Sequence, residues 1–471
     1  SDDRIITDFE DEENPTNEEI EFNTWRQQLY KVDGVGHRIF LVQPKLKYIP
    51  KKAKKSTSEL QLAEAVALIE TLPNWKVIEK KIVTVKEPNK KFIFSSGILD
   101  ELKYEIANSK RTNGVSAVFL GHDMLTGLQH SSLEAAFGIP VYDRYMIVLR
   151  IFRDHARTKE AKLQIALGEI PYLKSRIKGI LLHGYDKGGG NMTFSKGGGE
   201  TYLEARKRIL TERESKLKKG IEQLKSHRVL LRQNRVRKQF PVIAIVGYTN
   251  AGKTTLIKAM TGDKEIQPKD QLFATLDVTA HAGNLLNNIA VMYIDTVGFI
   301  SDIPTDLIHS FAATLEDVAL ADLIIHVCDL SHPDYVAQKA TVRSTLENLK
   351  IDQKLLDNMI EIDNKVDLMT EEERFSKNSA ALSVSLVTGE GVSDLKQLIQ
   401  DKILHPQSNL MSVQFRVPTG GQEFRWLYKE ANVTSTDADE SDTQFVYIRT
   451  VLTKASLSKF RHRFGNMEDS N

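Results

Sequence analysis

The stretch Val242-Ile243-Ala244-Ile245-Val246-Gly247-Tyr248-Thr249-Asn250-Ala251-Gly252-Lys253-Thr254 decides how this chain folds at its centre. It opens as an apolar run of strand length, turns through a loop with glycine at both ends, and continues from Thr255 to Met260 as a helical stretch. A strand, such a loop and a helix start in that order form a P-loop. Loop N–H groups and the positive helix end surround phosphates, a lysine at position 253 reaches the outer ones, and the Thr254 hydroxyl suits Mg²⁺. Gly247, Tyr248, Thr249, Asn250, Ala251, Gly252, Lys253, Thr254 and Thr255 are therefore the first candidate nucleotide-binding residues.

Downstream, the strand-like run Val291 to Ile294 ends in Asp295-Thr296-Val297-Gly298. An acid at a strand end can hold Mg²⁺, directly or through water, and the Gly298 N–H can meet a γ-phosphate and be released on its loss. A third element, Asn364-Lys365-Val366-Asp367, follows an apolar strand at 359–362. A carboxylate such as that of Asp367 accepts hydrogen bonds from the ring N–H and amino group of guanine, a donor pattern adenine lacks. Order and spacing of the three elements resemble translation-factor-related GTPases and predict GTP as the ligand. The last base-side element, commonly Ser-Ala, reads Ser385-Leu386 here, so any contact at Leu386 would come from its backbone. Lys253 and Gly298 are the candidate catalytic groups within these elements. Phe299 stands where Ras-like enzymes place a water-orienting glutamine, which predicts slow intrinsic turnover and a hydrophobic cover over the site. The side-chain carbonyl of Asn250 is suited to seat K⁺ beside the phosphates, or the residue simply forms the turn.

A chain of 471 residues exceeds one compact core and predicts several units. Hydrophobic content of 41% without a run of about 18 apolar residues excludes a membrane-spanning helix. The single cysteine, Cys328, lies in an apolar run and reads as a core thiol. Residues 1–36 begin with ten acids against Arg4 in the first 21 positions, a composition that predicts disorder and is the reverse of a transit peptide. The chain starts with Ser, as expected if a targeting segment had been removed.

From 37 to 155, short apolar runs (Ile39 to Val42, Val77 to Val85, Val115 to Leu120) alternate with helical stretches such as Ser58 to Leu72, the signature of an α/β domain. Residues 156–239 read as a helical hairpin. Leu163, Leu167, Ile170, Leu173 and Ile177 share one helix face, and Leu203, Leu210, Leu217, Leu224 and Leu231 recur at seven-residue steps as a coiled-coil seam. Between them lies a glycine-rich loop with Gly188, Gly189, Gly190, Lys196, Gly197, Gly198 and Gly199. From 204 to 239 there are thirteen Lys or Arg against four Glu, and the run ends in Arg232, Arg235, Arg237 and Lys238. That excess favours a phosphate backbone, most naturally RNA, over a merely solvated face. The GTPase domain spans 240–405, with a mostly parallel sheet and helices on both faces, and a small α+β domain spans 406–471. The expected fold class is thus a multidomain α/β chain with an antiparallel coiled-coil hairpin.

Several stretches carry a family resemblance running from about His37 to Phe464. Leu272 to Thr279 resembles switch I of the HflX family, Asp295 to Ile300 its switch II, and Ala156 to Gln164 with Gly199-Glu200-Thr201 its helical hairpin. Thr275 joins Thr254 and Asp295 as a candidate metal ligand and joins Lys253 and Gly298 as a candidate catalytic residue. Asp270 to Gly283 and Trp426 to Ala431 look most like the animal mitochondrial members, whereas bacterial members have Gly-Pro-Gly-Glu-Thr at 197–201. The resemblance implies a monomer of the mitochondrial matrix that binds ribosomes in its GTP state, with the hairpin loop near the peptidyl-transferase centre of the large-subunit rRNA. It also implies ribosome splitting, late large-subunit maturation, and maturation factors as further partners. A regulatory switch acting on a protein effector is the alternative reading, and salt-sensitive binding to ribosomal subunits separates the two.

Overall fold

In the computed structural model the described residues are 20, 24, 36–47, 56–86, 93–184, 202–238, 240–268, 272–273, 275, 279–301, 317–349, 351–377, 379–405, 410–439 and 441–465. The chain divides into two compact units: residues 1–224 with 271–273 and 301–311, and the remainder.

The first unit is built on a four-stranded parallel sheet of order β2-β1-β3-β4, formed by β1 (Arg38–Leu46), β2 (Lys76–Val85), β3 (Ala117–Leu120) and β4 (Val141–Asp143). All four residues of β3 are buried, as expected for a parallel strand covered on both faces. Crossover helices α1 (Ser58–Thr71), α2 (Ser96–Thr112) and α3 (Gly127–Phe137) alternate with the strands. Phe40, Val42, Leu102, Ile106, Val118, Leu120 and Leu133 form one apolar core with them. Local chemistry sets the helix ends. Thr126 and Gln129 make a reciprocal capping box at the start of α3, and Gly138 ends it in the left-handed conformation, φ 64°.

Helix α4 (Arg144–His155) follows β4 directly. Asp143 caps it by accepting from the Met146 N–H at 2.9 Å, while its other oxygen accepts from Leu125 N at 3.0 Å and Arg176 Nη2 at 2.8 Å. Asp143 and Arg176 are both buried, so each needs the other: losing one partner of a buried pair costs about 3–5 kcal/mol. Arg176 belongs to α5 (Lys159–Gly184), which packs on α3 and α4. The Tyr145 hydroxyl of α4 donates to the Gly168 carbonyl of α5 at 2.6 Å. Of the expected apolar face of α5, Leu163, Ile170, Leu173 and Ile177 are buried and Leu167 is half-buried.

Helix α6 (Tyr202–Lys238) carries the leucine repeat. Leu210 and Leu217 are buried and Leu224 half-buried, and Lys174 on α5 pairs with Glu214 on α6 at 2.7 Å. A coiled coil along the length of the two helices is not established by these contacts. The loop glycines Gly188, Gly189, Gly190, Gly197, Gly198 and Gly199, with Lys196, and the side chains of Arg232, Arg235 and Arg237 lie outside the described residues.

The second unit holds a six-stranded sheet of order β10-β9-β8-β5-β7-β6: β5 (Val242–Gly247), β6 (Thr279–Asn284), β7 (Ala290–Asp295), β8 (Leu323–Asp329), β9 (Ile360–Asn364) and β10 (Leu382–Ser383). Pairing is parallel except for the edge strand β6, which runs antiparallel to β7. Helices α7 (Lys253–Thr261) and α8 (Tyr335–Asn348) pack on it, and α9 (Val392–Ile403) packs on α7. Because β5, β7 and β9 are parallel, the three predicted motifs all leave the carboxyl edge of one sheet, where doubly wound folds place their ligands. Cys328 on β8 is buried, and burial pushes its thiol up to about 12, so it is an inert core group.

The carboxy-terminal domain is a three-stranded antiparallel sheet, β11 (Leu410–Pro418), β12 (Asn432–Ala438) and β13 (Phe445–Thr453) in order β11-β13-β12, with α10 (Gln422–Glu430) and α11 (Lys454–Phe464). Phe415, Val417, Leu427, Ile448, Leu452 and Phe460 form its core. Trp426 is half-buried with its ring 5.3 Å from Phe460, whereas Tyr428 is 51% exposed and stacks on Phe424.

Candidate functional site

The loop between β5 and α7 is shaped by residues that accept unusual backbone angles. Asn250 has φ 60° and Gly252 φ 103°. Asparagine tolerates the left-handed region, but at 252 a side chain would also collide, since a Cβ would lie 2.3 Å from Asn364 Nδ2. Gly247 is required by a different contact: its Cβ would stand 2.4 Å from the Val327 carbonyl oxygen. The loop is closed from the other side by a backbone bridge. Thr249 N–H donates to the Phe299 carbonyl at 2.7 Å and Phe299 N–H to the Gly247 carbonyl at 3.1 Å. Phe299 is itself buried, so its placement serves the loop through the backbone as well as through its ring.

Lys253 starts α7 and is buried, with Nζ donating to the Tyr248 carbonyl at 2.9 Å and the Gly247 carbonyl at 3.3 Å. Burial pulls its ammonium down to about 8, against the attraction of Asp295. Asp295, 1% exposed at the end of β7, shows the converse: burial raises its carboxyl, while Lys253 and then the Thr254 and Thr275 hydroxyls hold it down. Both hydroxyls reach one oxygen, Thr254 Oγ1 donating to Asp295 Oδ2 at 2.9 Å and Thr275 Oγ1 at 3.0 Å, and the two threonine oxygens are 3.1 Å apart. The second carboxylate oxygen, Oδ1, is buried with no hydrogen-bond partner, as is Thr249 Oγ1. One carboxylate, two hydroxyls and an unsatisfied buried oxygen fit a small hard cation that keeps other ligands from water or phosphate. No cluster of three or more His, Cys, Asp or Glu suited to a metal occurs among the described residues.

Gly298 completes this end. A Cβ there would lie 2.9 Å from Thr249 Cγ2 and 3.1 Å from Lys253 Nζ, so only glycine lets this backbone approach the ammonium. Thr296 is turned inward, donating to the Ile245 carbonyl at 2.6 Å, and Val297 is buried beside it. These two support the strand end. Thr255, half-buried, follows in the first turn of α7.

At the base-side end, Asn364 is buried and points at the protein: Nδ2 donates to the Ala251 carbonyl at 2.9 Å and Oδ1 accepts from Leu386 N–H at 3.2 Å. It therefore ties the phosphate loop to the 385–391 loop. Lys365 has φ 65° and pairs with Asp329 at 2.7 Å. Asp367 is exposed and accepts from Ser385 Oγ at 2.7 Å, and Leu386 is buried with its N–H engaged by Asn364. Asp329 was not singled out from the sequence. An Asp ending an apolar strand carries no local signal that a lysine 36 positions later will need it.

Buried donors and an ammonium around a glycine-rich loop suit a polyphosphate, and an exposed carboxylate fixed by a serine suits a base with two adjacent donors. Comparison with known proteins agrees. Family profiles match over most of the chain: "GTP-binding GTPase N-terminal" over 59–153, "GTP-binding GTPase Middle Region" over 155–235 and "50S ribosome-binding GTPase" over 242–365. GTP-binding protein 6 of Xenopus laevis is 46% identical over 429 residues, covering 91% of this chain and 80% of that protein. Its human counterpart is 44% identical over 427 residues, covering 91% and 81%. GTPase HflX of Caldanaerobacter subterraneus is 36% identical over 359 residues, covering 75% and 79%. The chain belongs to the HflX family of GTPases, enzymes that hydrolyse GTP.

Proposed function

We propose that this GTPase binds the large ribosomal subunit in its GTP state and there splits ribosomes into subunits or assists late maturation of the large subunit. In this reading Lys253 and the N–H groups from 247 to 255 hold the β- and γ-phosphates, and Gly298 N–H donates to the γ-phosphate. Thr254, Thr275 and Asp295 would hold Mg²⁺, which would supply positive charge to offset that of the phosphates. Asp367, held by Ser385, selects guanine. Lys365 and the Leu386 backbone border the base, and Asn364 acts by keeping the two loops in register. Loss of the γ-phosphate removes what Gly298 and Thr275 hold, so the segments carrying them change state on hydrolysis. Phe299 cannot orient water as a glutamine does, and slow basal turnover with acceleration on the partner follows. Asn250 is assigned to K⁺.

The observation that carries the ribosomal part is the net charge of +9 over residues 204–239, thirteen Lys or Arg against four Glu. Such an excess on one helix is matched by a phosphate backbone, and folded rRNA is read by shape and phosphates more than by base sequence. The profile over 242–365, described as a 50S ribosome-binding GTPase, supports the same partner. The glycine loop with Lys196 is assigned to the peptidyl-transferase region, and Arg232, Arg235 and Arg237 to rRNA phosphates. A monomer in the mitochondrial matrix, working alongside maturation factors, completes the proposal. No helix among the described residues is long and apolar enough to cross a membrane.

Co-sedimentation of the protein with large subunits in a non-hydrolysable GTP analogue tests this. Reversing the charge at Arg232, Arg235 and Arg237 should weaken binding and flatten its salt dependence by about one counterion per lost contact. Replacing Gly188 to Gly199 by a short linker should leave nucleotide binding intact and abolish splitting or maturation. Absence of any subunit binding at low salt refutes the ribosomal assignment and favours a protein effector.

A further inference from the structure

We infer that Arg374 is a positioning residue for Asp367 and sets how well the site separates guanine from a base that lacks its amino group. Arg374 lies on the short helix Glu371–Lys377. A capping box opens that helix: Thr370 Oγ1 accepts from the Glu373 N–H at 3.3 Å, and the Thr370 N–H donates to Glu373 Oε2 at 2.9 Å. Its side chains are arranged against their polarity. Phe375 is 83% exposed, Arg374 is half-buried, and none of the seven residues is buried. Apolar packing therefore does not fasten this helix, and so short a helix is not stable by itself. Polar contacts do it. Lys377 Nζ donates to the carbonyls of Leu330 and His332, and the Arg374 guanidinium reaches toward the base-side loops.

Arg374 Nε and Nη2 both donate to the Val366 carbonyl, at 3.0 and 2.5 Å, and Nη1 donates to Glu390 Oε1 at 3.0 Å. The first acceptor belongs to the peptide unit that Val366 shares with Asp367. That unit is planar, so holding its oxygen fixes the plane from which the Asp367 side chain departs. The second acceptor belongs to the loop that supplies Ser385. There the Ser385 N–H donates to the Glu390 carbonyl at 3.0 Å, and Ser385 Oγ donates to Asp367 Oδ1 at 2.7 Å. The contacts close a ring from Arg374 to the Asp367 peptide, from Asp367 to Ser385, and through Glu390 back to Arg374. Asp367 is exposed, so this ring and not packing aims its carboxylate. The two arms are unequal. Glu390 is 51% exposed and its ion pair contributes little, whereas Val366 is buried and its carbonyl carries the effect. Guanine offers a ring N–H and an adjacent amino group, and a carboxylate meets both only when it is aligned with them. Hypoxanthine keeps the ring N–H and lacks the amino group. Misalignment of Asp367 therefore costs guanine more than hypoxanthine. This role rests on the reading of Asp367 as the base-selecting residue.

The test uses the full chain with Mg²⁺ and compares equilibrium dissociation constants for GDP and inosine diphosphate, so that hydrolysis does not intervene. Arg374→Ala should lower the preference for GDP by about three- to tenfold, the range of one hydrogen bond, with inosine diphosphate affinity nearly unchanged. Arg374→Lys, which keeps a donor for the Val366 carbonyl, should retain most of the preference. Should the alanine variant not fold, Arg374→Met keeps the aliphatic stem without donors and carries the same expectation. Equal weakening of both nucleotides is what a merely structural role would give. That result, an unchanged preference, or a lysine variant no better than alanine overturns the assignment. Asp367→Ala in parallel separates the two layers: if it keeps the preference for GDP, the base-selecting role of Asp367 fails and that of Arg374 with it; if it loses the preference while Arg374→Ala does not, the positioning role alone fails.

Discussion

Lys253→Met should make the nucleotide-free protein more stable near neutral pH while abolishing GTP binding. The wild-type lysine is buried and its ammonium is pulled from 10.5 to about 8, chiefly by burial. At about 1.4 kcal/mol per pH unit, that depression corresponds to roughly 3 kcal/mol of destabilisation of the charged folded form. The sign follows from proton linkage. Between about 8 and 10.5 the unfolded chain binds a proton that the folded chain has lost, so folded-state stability rises with pH across that window. Below about 8 the full penalty applies. Methionine fills similar space without a charge. It gives up the hydrogen bonds to the Tyr248 and Gly247 carbonyls, a loss of about 1 kcal/mol each if these remain dry. It also removes the nearest cation from Asp295, which favours the protonated carboxyl. A net gain of about 1–2 kcal/mol at pH 7 is expected from these terms. Urea unfolding of the nucleotide-free protein at several pH values between 7 and 10.5, followed by a probe in the GTPase domain, measures it. The wild type should gain stability with rising pH, and the variant should lack that gain. With excess GTP and Mg²⁺ the order should invert, because only the wild type is stabilised by mass action. If the methionine variant is less stable than wild type at pH 7 and retains the same pH dependence, the lysine is not paying for its burial and the electrostatic account of the loop is wrong.

Three further outcomes follow from the same geometry. Asp367→Asn should exchange preference from GTP to xanthosine triphosphate, whose ring carbonyl replaces the amino donor; a variant that still prefers GTP in competition binding assigns base selection elsewhere. Gly298→Ala should lower GTP turnover by at least tenfold with GDP affinity nearly unchanged, since its Cβ would lie 2.9 Å from Thr249 Cγ2 and 3.1 Å from Lys253 Nζ. Equal turnover in steady-state phosphate release would show that the backbone can shift away from Lys253 without loss. Hydrolysis should be faster in K⁺ than in Na⁺, and Asn250→Ala should remove the difference; identical rates for the wild type in the two salts reject the cation role of Asn250.

What could be read from sequence, and what could not, divides along the range of the interactions. The strands β5, β7 and β9 are legible because each is a short apolar run ending in a turn-forming or acidic residue, and the motifs at their ends inherit a common edge from parallel pairing. Cys328 is legible for the same reason, as one position in an apolar strand. The edge strand β6 is not: Thr279-Ala280-His281-Ala282-Gly283-Asn284 has no strong alternation to mark it, and its strand form comes from pairing with β7. Asn364 reads as part of a base-recognition motif, and its side chain also donates to the Ala251 carbonyl and accepts from the Leu386 N–H. Those partners are 113 and 22 residues away, and residue type alone does not specify them.

The leucine repeat marks a limit of another kind. A seven-residue period says that one stripe of α6 needs cover, and the burial of Leu210 and Leu217 satisfies that need. It does not say which helix supplies the cover over the whole stripe. For α5 the apolar face is used largely by α3 and α4, to which the buried Asp143–Arg176 pair and the Tyr145–Gly168 hydrogen bond also fasten it. Those contacts place α4 between the base of the arm and Phe273. The left-handed Phe273 is the position where local preference and structure disagree most, and it lies two residues from Thr275. A conformation that glycine would adopt freely is instead imposed on phenylalanine, whose ring gives α4 something to grip. Glycine there would relieve the angle and lose the grip together.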